Sequence, residues 1–220
     1  MESPYPPLAV RVWGELACFT RPEMKVERVS YPVPTPSAAR GILEAICWKP
    51  ECFWRVEQIW VLKPIRYFSI LRNEVNSRAS ERTAAGWREH GGGYDAAADR
   101  TQRHTLALRE VDYLIRGQVL PRPGSDADPA KFRDQFRRRV RDGRCFATPY
   151  LGCREFSASF GEPDGAERPI DRTEDLGLML LDLDYATDGS GRGTPRFFEA
   201  RLDHGVLRVP ARPLPDAEGR

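Results

Sequence analysis

HTLALREVDYLIRGQVLPRPGSDADPAKFRDQFRRRVRDG, residues 104–143, sets two periodicities back to back. In the first part Val111, Tyr113 and Ile115 fall on alternate positions, the spacing of a strand with one buried face. This predicts a long strand over 104–120. In the second part Phe132, Phe136 and Val140 recur at helical spacing. Asp128 suits an N-cap, Pro129 the first helical position and Gly143 a C-terminal stop.

Working outward, residues 8–19 repeat the strand pattern, with Leu8, Val10 and Val12 on one side and Arg11 and Trp13 on the other. The Pro-rich stretch YPVPTP leads to Thr35 and Pro36, an N-cap followed by a first-turn proline. Ala39, Ile42, Leu43 and Ile46 form the stripe of the predicted helix, Arg40 and Glu44 an i,i+4 pair on its other side. Pro50 marks its end, and residues 55–65 read as another strand. Residues 66–103 are polar and Gly-rich with little periodicity, and read as a long flexible loop at about 69–103. Residues 145–156 read as a strand or an extended segment. The order strand, helix, strand, strand, helix, strand is the ferredoxin-like order that also underlies RNA recognition motifs.

Beyond it, residues 176–185 and 196–209 read as antiparallel strands, the latter folded at Asp203-His204-Gly205. The expected architecture is α+β. A ferredoxin-like (RRM-like) domain spans 1–156, a small antiparallel β-rich part spans 157–210, and residues 211–220 form a tail.

Charge narrows the class. The chain carries 34 Lys and Arg against 32 Asp and Glu, so it has no general surplus. Yet residues 131–144 hold Lys131, Arg133, Arg137, Arg138, Arg139, Arg141 and Arg144 against only Asp134 and Asp142. A local basic block on a balanced chain reads as a polyanion footprint, because guanidinium groups pair bidentately with phosphate. The alternative is a solvated face paired with its own acids. Arg137, Arg138, Arg139 and Arg141 surround most of the helix, so at least one must approach the face that buries Phe136 and Val140. No apolar run approaches the roughly 20 residues that span a bilayer, and the N-terminus lacks a signal-peptide pattern. The expectation is a cytoplasmic protein without membrane contact. Cys18, Cys47, Cys52, Cys145 and Cys153 match no zinc spacing and read as mostly buried free thiols, with no metal or other cofactor expected.

The segments YPVPTPSAARGILEAICWKP, IWVLKPIRYFSILRNEVNSRAS, TLALREVDYLI and PYLGCREF, in that order, resemble the Cas5 family of CRISPR systems, most closely its type I-C branch. The resemblance covers residues 8–160, with a weaker echo to Val209. It implies a ferredoxin-like N-terminal half followed by a β-rich part. It also implies a subunit that holds the 5′ repeat-derived handle of CRISPR RNA in a Cascade-type complex, beside Cas7 and Cas8 type subunits, with target DNA a further partner within the complex. In the type I-C branch, which lacks Cas6, such a subunit usually also cuts precursor RNA. The cut needs no metal: the ribose 2′-OH attacks the adjacent phosphate and the 5′-oxygen leaves.

Processing members combine a tyrosine on the first helix with a lysine–histidine pair on the second. The matching positions here are Cys47, Lys131 and Phe132, and a histidine common after the CF pair is Ala147. Lys131 is thus the leading catalytic residue, set against its bland reading as a solvated lysine. Cys47 is weighed as an acid or base against simple burial, and Phe132 as a base-stacking ring against core packing. His104, beside Arg100 and Arg103, is a substitute histidine if its strand approaches the RNA. His90 reads as a solvated loop residue and His204 as a turn residue. Lys49, Arg133 and the other arginines of the block are expected RNA contacts. So are Arg72, Asn73, Asn76 and Arg78 of LRNEVNSRAS, unless that segment contacts protein instead. Arg154 and Glu155 read as an internal ion pair. Two functions stay open: an endoribonuclease that keeps the 5′ handle, and a non-catalytic handle-binding subunit. An unrelated RNA recognition motif is disfavoured, because its aromatic signature is missing.

Overall fold

The computed structural model describes residues 4–24, 26–77, 80–185, 191 and 193–211. In chain order the elements are β1 (Leu8–Ala17), β2 (Arg28–Val29), α1 (Pro36–Ile46), β3 (Cys52–Val61), β4 (Tyr67–Val75), α2 (Glu81–His90), β5 (Arg100–Pro121), α3 (Pro129–Arg141), β6 (Ser159–Gly161), β7 (Glu174–Tyr185), β8 (Gly193–Asp203) and β9 (Val206–Arg208). The described chain is mostly β, with three helices.

Both predicted helices start where their caps put them. The Thr35 side chain accepts from the Ala38 N–H at 3.1 Å, and Asp128 accepts from Ala130 at 2.9 Å. Each then has proline in its first turn, where a missing N–H costs nothing. Arg40 pairs with Glu44 at 3.1 Å as the i,i+4 spacing requires, and also reaches Asp182 of β7 at 2.7 Å.

The sheet runs β6-β1-β5-β3-β9-β8-β7, and β2 and β4 pair with β5 off that path. β5 organises it. Its C-terminal half lies between antiparallel β1 (Val12 opposite Tyr113) and β3 (Ile59 opposite Ile115). Its N-terminal half leaves β1 and β3 and pairs with β4, Leu71 opposite His104, while β2 runs parallel to it at Thr105 and Leu106. At the join Glu110 takes φ +54, an uncommon backbone for a residue with a Cβ.

α1 and α3 lay their apolar stripes on the core. Ile42, Leu43 and Ile46 join Phe132, Phe136 and Val140 in one cluster with Val10, Val12, Ile115 and Ile59. Trp54 of β3 meets Phe136 at 4.7 Å between ring centroids. Each such fully buried side chain contributes about 1.5–3 kcal/mol.

The region read as a long loop is ordered differently. It holds β4, α2 and the start of β5. Ser80 caps α2 by accepting from Thr83 at 3.1 Å, and Gly91 ends it at φ +74. Neither element buries a full face: β4 is exposed or half-buried throughout and α2 buries nothing. The predicted fold-back at residues 203–205 is present, with His204 at φ +43 and Gly205 at φ +75. A Cβ on Gly205 would meet the Ile170 carbonyl oxygen at 2.3 Å, so the turn needs glycine there.

Candidate nucleic-acid interface

The C-terminal ends of α1 and α3 meet, and the loop after α3 closes over them. The last carbonyls of α1 need donors, as at every helix end. Phe146 and Ala147 donate to Ala45 O at 2.8 and 2.9 Å, and Arg139 donates to Ile46 O at 2.7 Å. Arg139 is therefore the arginine that turns toward the apolar face, anticipated from the crowding of that helix.

The remaining cations divide by partner. Arg137 pairs with Asp134 and Arg141 with Asp142, each at 3.2 Å with the arginine more than half exposed, pairs worth little in water. Lys49, Lys131, Arg138 and Arg144 meet no carboxylate among the described residues. Lys131, Gln135 and Arg138 recur at i, i+4 and i+7, so they share one helix face. That face leads into a cleft of about 260 Å³ lined by Gln135, Arg138, Arg139, Asp142, Arg144 and Cys145. At its margin Trp48 and Phe146 stack at 5.5 Å and 29°, both exposed.

Arg133 is a correction. It is 2% exposed, donates to Gln118 Oε1 at 3.1 Å and Pro6 O at 2.6 Å, and lies over the Tyr5 ring. It is part of the folded core and not an RNA contact. Burial lowers its pKa, and Arg137 adds to that.

The three catalytic expectations do not converge. Lys131 is exposed on α3. Cys47 is 2% exposed at the C-cap of α1, and burial pushes its thiol pKa up, with Arg139 and Lys49 only opposing it. A buried thiol with a raised pKa makes a poor acid–base group. His104 sits on the outer half of β5, opposite Leu71. It is 14 residues from Gln118, the β5 partner of α3's Arg133. At ~3.3 Å per residue that is ~45 Å along the strand. Phe132 is 3% exposed in the core, as its helix position required.

The LRNEV segment also lies away from α3. Asn73 is exposed on β4 opposite Gln102, and Asn76 accepts from Arg103 at 3.0 Å. Arg78 lies outside the described residues. Arg72 pairs with Glu155 and covers the Phe156 ring at 5.1 Å, so its charge is committed within the molecule. Arg28 adds a second cation to Glu155 at 3.6 Å and reaches Glu74 at 3.2 Å. Burial raises the Glu155 pKa, but its own backbone N–H and Arg72 hold the carboxyl below its ordinary value. The expected Arg154–Glu155 pair is thus replaced by Glu155 with Arg72 and Arg28. Residues 144–157 run from the α1–α3 junction to the root of β4.

Of the five thiols, Cys18, Cys47 and Cys52 are buried, Cys153 is intermediate and Cys145 exposed. Among the described residues no group of three or more His, Cys, Asp or Glu side chains is placed to hold a metal ion, and no helix is long and apolar enough to cross a membrane. Sequence reasoning passed over Trp48, Phe146 and Gln135. Their signal was present: Trp48 precedes Lys49, Phe146 follows Arg144-Cys145, and Gln135 lies one turn after Lys131.

Fold and site together define a β-rich protein that turns one basic helix face and an exposed aromatic pair outward, as polyanion-binding surfaces do. The family model described as CRISPR-associated protein (Cas_Cas5) matches residues 7–210. The chain is 45% identical over 219 residues to a Thermus thermophilus protein named CRISPR pre-crRNA endoribonuclease Cas5d, covering 93% of this chain and 91% of that one. A Mannheimia succiniciproducens protein of the same name is 42% identical over 216 residues, covering 92% and 94%. Among solved structures, a CRISPR-associated protein superposes with a TM-score of 0.66 at 24% identity, covering 93% of this chain and 92% of that one. A Streptococcus mutans protein, SMU1763c, superposes at 0.65 and 20% identity with the same coverage. The chain belongs to the Cas5 family, of the Cas5d kind.

Proposed function

We propose that this protein binds the repeat-derived 5′ handle of CRISPR RNA and cuts precursor CRISPR RNA by metal-independent attack of a ribose 2′-OH. The observation that carries the reading is the exposed, unpaired Lys131 at the head of the Lys131–Gln135–Arg138 face. It stands in a chain 45% identical to a protein named as a pre-crRNA endoribonuclease.

In the proposed reaction the 2′-oxygen bonds to phosphorus, the bond to the 5′-oxygen breaks, and the products carry a 2′,3′-cyclic phosphate and a 5′-hydroxyl. Lys131 stabilises charge on the pentacoordinate phosphorus, a contribution that a fixed cation makes more strongly than water. Arg138 and Arg144 hold flanking phosphates and help set the in-line geometry. No histidine lies on α1, α3 or the loop between α3 and β6. Proton transfer therefore falls to solvent, and catalysis rests on positioning and charge.

The order of elements supports a ferredoxin-like reading of the N-terminal part, residues 1–156, with its last strand, β6 at Ser159–Gly161, lying just past that boundary. β1, α1, β3, β5, α3 and β6 follow in that order, and their strands lie side by side as β6-β1-β5-β3, all antiparallel. Residues 157–210 supply the β-rich remainder. The proposed partners are CRISPR RNA and, in a type I-C surveillance complex, Cas7 and Cas8 type subunits with target DNA.

One set of observations favours the second reading, a non-catalytic handle-binding subunit: Cys47 and Phe132 are buried where processing relatives place tyrosine and histidine, and Ala147 replaces another histidine. One gel separates the two. Cognate repeat RNA is mixed with the protein in excess EDTA, beside the same RNA carrying 2′-deoxyribose at the cut site. Cleavage of the first alone is expected; intact but shifted RNA in both lanes means a structural subunit.

A further inference from the structure

Trp48 and Phe146 leave 44% and 60% of their surface to water while stacked on one another. Single exposed aromatics are ordinary, but a stacked exposed pair beside unpaired cations in the chain is not. The rings are not what anchors their segment. Phe146 and Ala147 are held by main-chain bonds to Ala45 O, and Arg139 ties α3 to Ile46 O. The Trp48 indole N–H has no partner among the described residues. Lys49 follows Trp48 in the chain. Arg144 and Cys145 precede Phe146, and both line the cleft that receives the Lys131–Gln135–Arg138 face. An exposed π surface whose chain neighbours include unpaired cations suits a nucleotide in shape and charge: a planar base joined to an anion.

We infer that Trp48 and Phe146 form a stacking platform for an unpaired nucleobase of the RNA, whose flanking phosphates lie on Arg138 and Arg144. The inference rests on the RNA-binding reading above and adds how a base is held. Every base has a π face, so the platform fixes the position of a splayed nucleotide without reading its identity.

The test uses cognate repeat RNA in EDTA with 2-aminopurine scanned through its unpaired positions. Stacking quenches that probe. Quenching by the wild-type protein is expected at one position. Trp48→Ala and Phe146→Ala should relieve it and weaken binding roughly tenfold. Trp48→Phe should keep the quench. Phe146→Leu, which retains apolar bulk, should lose it, so a folding defect cannot mimic the result. Arg138→Ala should weaken binding with the quench intact at saturation. If the wild type shifts the RNA but Trp48→Ala and Phe146→Ala quench and bind equally well, the platform is overturned, leaving the rings as a protein contact. If the wild type leaves the RNA unshifted, the RNA-binding reading falls and the platform with it.

Discussion

Three side chains of the basic block, Lys131, Arg138 and Arg144, meet no carboxylate among the described residues, and Lys131 is the lysine among them. Arg133 is buried, Arg137 and Arg141 have aspartates, and Arg139 caps a helix. Lys131→Ala should slow single-turnover cleavage at least tenfold while weakening RNA binding much less; equal losses in both would make Lys131 a phosphate anchor only. Cys47→Ala should leave cleavage within about twofold, because a thiol 2% exposed with a raised pKa neither reaches RNA nor ionises near neutrality. Without a histidine at the site, the log of the cleavage rate should climb steadily from about pH 6 to about pH 9. A plateau with an inflection near the ordinary histidine value of about 6.5 would reveal a base that this geometry lacks. Cys153 behaves oppositely to Cys47. Its pairing with the Cys18 thiol, aided by Arg28, whose N–H approaches the sulfur at 3.8 Å, and by Arg72, draws its thiol below the ordinary value against burial and Glu155. Since the thiolate is the nucleophile, alkylation of Cys153 by iodoacetamide should reach half its maximal rate at a pH below that of an ordinary thiol. A midpoint above about 8, the range of an ordinary thiol, would contradict the local geometry.

At the scale of elements, legibility followed burial. α1 and α3 could be read because Thr35-Pro36 and Asp128-Pro129 mark their starts and their apolar stripes pack on the sheet. β4 and α2 could not, because neither buries a continuous face: Tyr67, Phe68, Leu71 and Val75 are all exposed, and α2 buries no residue. Main-chain pairing with β5 makes β4 a strand, and pairing partners leave no mark in a local pattern. The basic block misled in the same way at Arg133. Its charge suggested solvent, but positions 133, 136 and 140 share a helix face, and that face is the core side. What ties the β4 arm down is Glu155, through Arg72 and Arg28. Glu155→Gln should raise amide hydrogen exchange along β4 about two- to fivefold, as expected from losing roughly 0.5–1 kcal/mol in a half-exposed pair. Amides of β1 should not change; if β4 exchange is also unchanged, strand pairing alone holds the arm.

For the whole molecule, the division between residues 1–156 and 157–210 is one of composition, while the sheet crosses it. β9 pairs with β3, Ile59 opposite Leu207. Main-chain bonds join Val61 N to Gly205 O at 2.8 Å, Ile170 N to Val61 O at 2.9 Å and Val209 N to Glu57 O at 2.9 Å. Leu176, Met179, Ala200, Leu202 and Leu207 belong to the same buried cluster as Val12 and Ile115. Arg40 of α1 bonds to Asp182, a side chain on β7 that is nine-tenths buried. Opening the C-terminal strands would therefore expose the edge of β3 and strip apolar cover from α1, so the two parts are expected to unfold together. Thermal unfolding should be a single transition, with far-ultraviolet dichroism and tryptophan fluorescence giving the same midpoint. Leu202→Ala, far from α3, should lower that midpoint for both probes together, at a cost of about 2–5 kcal/mol. Two separated transitions, with Leu202→Ala moving only one, would mean that the β-rich part folds apart from the sheet it extends.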